Sequence, residues 1–128
     1  MEFDQTLRLD WPERVNARDR LVWRGRHLTT TFLLQVGGQA YLAHIADGRL
    51  ASVRTGPFVL ADWAFALRAP AQVWSQFWSP LPPPGFHDIM AMLKLGHLTI
   101  EGDLYPLMSN LLYFKDVLAA VRQDATQP

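Results

Sequence analysis

The stretch Leu93-Lys94-Leu95-Gly96-His97-Leu98-Thr99-Ile100-Glu101-Gly102-Asp103 decides how this chain folds. It reads as the end of one helix, a stop, a short strand and the start of another helix. Gly96 comes after an apolar helical run and suits the left-handed residue that closes a helix. Leu98 to Gly102 is long enough for one strand. Asp103 is placed to cap the next helix, with Pro106 in the first turn, where a missing N–H is tolerated. Beyond it, Leu104, Leu107, Met108, Leu111, Leu112, Phe114, Val117, Leu118 and Val121 recur mostly at spacings of three and four. That is the period of a long helix with a wide apolar stripe.

Working back, Pro80-Leu81-Pro82-Pro83-Pro84-Gly85 cannot be helical and is a stiff connector. A helix is expected on each side of it. One opens at Pro70 and carries Val73, Trp74, Phe77 and Trp78; the other runs from Phe86 to Leu95. His87 and Asp88 begin the second, and Asp88 suits the positive end of its dipole. Asp62 to Arg68 alternates as a strand, with Trp63, Phe65 and Leu67 on one face. Before it, Thr29 to Val36, Gln39 to Ala46 and Arg49 to Arg54 are strand-like. Gly37-Gly38 and Asp47-Gly48 separate them as two-residue hairpin turns, so these three form an antiparallel meander. A helix from Pro12 to about Trp23, capped by Asp10, precedes the strands.

Composition bounds the chemistry. The 128 residues suit one domain: an N-terminal helical extension over 1–27, a core over 28–122 and a polar tail over 123–128. Lys plus Arg equals Asp plus Glu, 12 against 12, which gives no basic surplus for nucleic acid. Cysteine is absent, which removes disulfides and thiolate chemistry. Five Trp and seven Phe make much of the burial aromatic. No signal peptide, bilayer-spanning run or lipidation motif is read, and a cytoplasmic location is expected.

The order helix, three-strand meander, strand, two helices, strand, long helix resembles the sterol carrier protein superfamily. The resemblance rests on Phe32 to Val36 leading into Gly38, on Asp47-Gly48, on Trp63-Ala64-Phe65-Ala66-Leu67 followed by Pro70 and a helix ending in Phe77-Trp78, and on Leu93 to Asp103. It covers about 28–122. It implies an α+β fold: a five-stranded, mainly antiparallel sheet with helices packed on one face and a long C-terminal helix. It also implies an apolar cavity between that face and the helix, holding a lipid, fatty acyl chain or sterol-like molecule. The residues expected to line it are Phe65, Leu67, Trp74, Phe77, Trp78, Met90, Leu93, Met108, Leu111 and Leu112. Met90, Met92 and Met108 would adapt to an irregular ligand. Trp74, Phe77 and Trp78 would serve either as walls or as a plug, and a plugged cavity would make the protein an interaction or assembly module.

Catalysis is not expected. His87 and Asp88 point about 100° apart on a helix, and Glu101 should face solvent. His27, His44, His87 and His97 lack metal-ligand spacing. No phosphate loop, dinucleotide fingerprint or nucleophile elbow appears, so no cofactor is expected. Arg14, Arg18, Arg20, Arg24 and Arg26 are dense but diluted by Glu13 and Asp19. A solvated face is the favoured reading, with transient membrane contact and a homodimer as the open partner readings.

Overall fold

The computed structural model of the chain describes residues 3–58 and 62–122. The turns place the strands. Asp47 and Gly48 both take positive φ, +52° and +81°, as a type I′ turn requires, and Gly37 takes +62°. They join β1 (Thr30–Val36), β2 (Gln39–Ala46) and β3 (Arg49–Thr55) into the expected antiparallel meander. β4 (Phe65–Ala69) then lies parallel to β1, and β5 (Thr99–Gly102) antiparallel to β4. The sheet order is β3-β2-β1-β4-β5. It is the mainly antiparallel five-stranded sheet anticipated, with one parallel pair.

The inner face carries Phe32, Leu34, Ile45, Phe65 and Leu67, all fully buried. The helices cover this face: α1 (Trp11–Asn16), α2 (Asp19–Arg24), α3 (Ala71–Phe77), α4 (Ile89–Lys94), α5 (Tyr105–Ser109) and α6 (Leu111–Ala119). Leu33, Leu42 and Ala66 form a smaller cluster on the other face, with Phe58 and Trp63 against it.

Trp63 corrects the sequence reading. It was expected beside Phe65 and Leu67, but it packs with the outer cluster. The strand proper begins at Phe65; the chain bends at Ala64, whose N–H is tied to the Thr31 carbonyl and whose carbonyl accepts from Asp103 N–H at 2.7 Å. That bend breaks the two-residue alternation.

The N-terminal helix also differs. It starts well before Pro12: a π-helical stretch, Thr6–Asp10, runs directly into α1, and Asp10 makes no side-chain cap. The helix then stops at Asn16, because Arg18 is extended, and α2 begins afresh at Asp19. The expected single closing helix is two segments, α5 and α6. Asn110 stands between them at φ −131°, its side-chain amide donating to the Pro106 carbonyl. α4 is shorter than Phe86 to Leu95, because Asp88 is extended and caps it from outside, accepting from Met90 and Ala91 N–H. Its other end closes at Gly96, φ +81°, where His97 N–H reaches the Met92 carbonyl and Gly96 N–H the Leu93 carbonyl. These two bonds make a Schellman motif. The expected polar tail, 123–128, lies outside the described residues.

Candidate functional site

The ten residues expected to line a cavity separate into two groups. Phe65, Leu67, Trp74, Phe77 and Trp78 are buried in the main core. Met90 and Leu111 are half-buried against it, and Leu93, Met108 and Leu112 face solvent. The first group lies on β4 and on the helix just after it, the second on α4, α5 and α6.

The buried group sits inside two aromatic knots. In one, Phe65 stacks parallel on Phe32, centroids 5.2 Å apart, and Phe114 of α6 meets both rings edge-on at 5.3 and 5.7 Å. Trp11 adds a fourth ring against Phe32 and donates its indole N–H to the Val117 carbonyl at 2.7 Å. In the other, Trp74 stacks on Trp78 at 5.0 Å, with Phe77 and Phe3 alongside. Trp74 and Trp78 donate to the carbonyls of Gln35 and Leu118. Rings therefore fill this part of the space between sheet and α6, and every indole named has a partner. Met92, expected as an adaptable wall, is fully buried on the inner side of α4 among the core residues.

Sequence reasoning missed Phe32 and Trp11 as occupants of this space. The signal for Trp11 was present: Phe3, Leu7, Trp11 and Val15 recur every four residues, and all four are buried.

Two of the open clefts among the described residues lie elsewhere. One, of about 420 Å³, is on the outer face of the sheet between Leu33, Ala40, Phe58 and Trp63. The other, of about 550 Å³, lies along α2 at Asp19, Arg20, Trp23 and Arg24. None of the ten expected residues lines either.

Several polar side chains are engaged structurally. His44 Nδ1 shares a 2.8 Å bond with Thr31 Oγ1, His97 stacks on Phe86 at 4.6 Å, and Asp88 is a helix cap with Lys115 at 3.9 Å. Glu101 pairs with Arg68 at 2.6 Å. The Arg122 guanidinium donates twice to the Phe77 carbonyl, at 2.9 and 2.7 Å, and burial pulls its pKa down. Among the described residues, His, Asp and Glu form no group of three that could hold a metal ion. No helix among them is long and apolar enough to cross a membrane.

No family profile and no curated protein matches this chain. Solved structures do. The crystal structure of sterol carrier protein 2 superposes with a TM-score of 0.71 at 14% identity, covering 90% of this chain and 92% of that one. TT1886 of Thermus thermophilus, a conserved hypothetical protein described as a candidate sterol carrier protein, gives 0.63 at 14%, covering 94% and 92%. Palmitated SCP2L2 from Aedes aegypti gives 0.50 at 15%, covering 94% and 99%. At such identities the likeness is one of architecture, and on it the chain carries the sterol carrier protein 2 fold over nine-tenths of its length.

Proposed function

We propose that the protein binds an apolar ligand between the sheet and the closing helices without changing it chemically. The ligand class is a lipid, a fatty acyl chain or a sterol-like molecule. The observation that carries this reading is the graded exposure across α4, α5 and α6. Leu93, Met108 and Leu112 stand in solvent, while Met90 and Leu111 sit half-buried beside the core. Apolar side chains running from water to a core suit the rim of an apolar site. The likeness to sterol carrier protein 2, and to a relative solved in its palmitated form, supports the ligand class. Entry at this rim is favoured, because deeper positions already hold rings. Micromolar binding corresponds to about 8 kcal/mol. At ~0.8 kcal/mol per methylene, about ten buried methylenes supply it. The structural engagement of His44, His97, Asp88 and Glu101 supports the non-catalytic part of the reading.

The test is binding in solution without a bilayer. Native mass spectrometry of the purified protein should reveal a co-purified lipid, and a fluorescent fatty acid should bind at micromolar concentration. Leu111→Glu should abolish both. No bound lipid and no binding of fatty acid or sterol analogues would sink the proposal.

A second reading takes the ring packing of Phe32, Phe65 and Phe114 as a permanent plug. The protein is then an interaction module whose exposed apolar side chains meet a partner. Sedimentation showing a monomer at all concentrations, with nothing retained in a pull-down, would remove it.

A further inference from the structure

We propose that the outer face of the sheet carries a second binding site, built for a flat aromatic monocarboxylic acid. It lies on the side away from the helices and is independent of the apolar site between sheet and helices. The strand register sets Arg54, Leu42, Leu33 and Ala66 abreast across β3, β2, β1 and β4. On the face of a sheet turned away from its helices such a row is normally polar. Here Leu33, Leu42 and Ala66 are buried. Among the described residues, the apolar groups packed on them are Ala40, Phe58 and Trp63. The cleft of about 420 Å³ opens above Leu33, with Phe58 and Trp63 as walls and Gly38 and Gln39 also lining it. Both walls are seated on a glycine. An added Cβ would stand 3.0 Å from the Phe58 ring at Gly56 and 3.1 Å from the Trp63 ring at Gly102. A flat ligand would therefore meet preformed aromatic walls.

Charge selects the ligand. Each wall carries a guanidinium: Arg54 lies 5.8 Å from the centre of the Phe58 ring, and Arg68 lies 5.9 Å from that of Trp63. Arg68 is already answered by the Glu101 carboxylate at 2.6 Å and donates to the Gln35 side chain as well. Arg54 is exposed, and among the described residues no carboxylate lies within ion-pair distance of it. One unanswered cation beside two aromatic walls suits a ring that bears one carboxylate, which a guanidinium takes bidentately. An alkyl chain fits less well, because the cleft is open and its walls are rings on which another ring can stack.

An NMR titration of the full chain with naphthoate tests this. The Gly38 and Gln39 amides and the Trp63 indole should shift, while the Trp74 and Trp78 indoles in the main core should not. Naphthamide has the same ring without the charge and should bind about tenfold more weakly, the loss expected for one charge-assisted pair. Arg54→Gln should weaken naphthoate by about the same factor and erase the preference for acid over amide. Gly38→Leu should block the cleft. The backbone there is not left-handed, and an added Cβ meets open space. Arg54 is exposed and Gly38 borders that space, so both variants should melt as the parent does. Saturating palmitate should leave naphthoate binding unaltered, which separates this cleft from the site between sheet and helices. Displacement by palmitate, or shifts at the Trp74 and Trp78 indoles in place of Trp63, would overturn the proposal. So would equal binding of acid and amide, parent-like binding by either variant, or no binding at millimolar naphthoate.

Discussion

Gly48 shows how one residue ties three parts of the chain together. Its φ of +81° is a left-handed value that L side chains rarely adopt, and an added Cβ would stand 2.3 Å from the Val22 carbonyl oxygen. Its N–H donates to the Leu28 carbonyl, and its own carbonyl accepts the buried Tyr113 hydroxyl at 2.7 Å. Gly48→Ala therefore combines backbone strain with a collision against another backbone. It should destabilise by about 2–4 kcal/mol in urea unfolding. Tyr113→Phe leaves the Gly48 carbonyl unpartnered and should cost about 1–2 kcal/mol. It should also change the alkaline response. Burial pushes the Tyr113 hydroxyl from 10.0 up to about 12. Between those values the folded protein keeps a proton that the unfolded chain has released, so stability falls as pH rises through that window. Unfolding free energies measured across it should show a shallower slope in Tyr113→Phe. An equal slope in both proteins would assign the alkaline response to other groups.

Among the elements, the N-terminal helix departs furthest from its sequence pattern. Phe3, Leu7, Trp11 and Val15 repeat every four residues. A pure α-helix of 3.6 residues per turn lets such a stripe drift around its axis. A π-helical stretch takes more residues into each turn, and Thr6–Asp10 adopts that form between the first two pairs of contacts. The four side chains then stay on one side and all reach the core. Leu7, the second in that line, has no exposed surface. Leu7→Ala should cost about 2–5 kcal/mol by chemical denaturation. A loss below about 1 kcal/mol would mean that this helix is a loose attachment. The strands and turns were legible because their signals are local: Asp47-Gly48 demands its turn, and Gly96 its helix stop. The early helix start was not, because the usual α period hides a four-residue repeat. Trp63 was misread for a related reason, since one bend set by bonds to Thr31 and Asp103 reverses its face. Those partners are distant in sequence, and alternation alone cannot foresee them.

At the scale of the molecule, the order of elements identified the architecture, while the state of the interior depended on which rings meet. Phe32, Phe65 and Phe114 come from β1, β4 and α6, and their mutual contacts arise only from the sheet order and the placement of α6. This is why the stripe on the closing helices was read correctly as apolar yet did not distinguish a filled space from an open one. Phe114 offers the test. It has no exposed surface and touches both other rings edge-on. Phe114→Ala should cost about 3–5 kcal/mol and leave a void between sheet and α6. A ligand that binds only the folded state raises the melting temperature, and more so the tighter it binds. If the apolar ligand approaches from the rim formed by Leu93, Met108 and Leu112, the new void extends the space it can fill. A saturating fatty acid should then raise the melting temperature of Phe114→Ala more than that of the parent protein. Equal shifts would place the bound chain away from the aromatic knot, and no shift in either protein would favour the interaction-module reading over carriage.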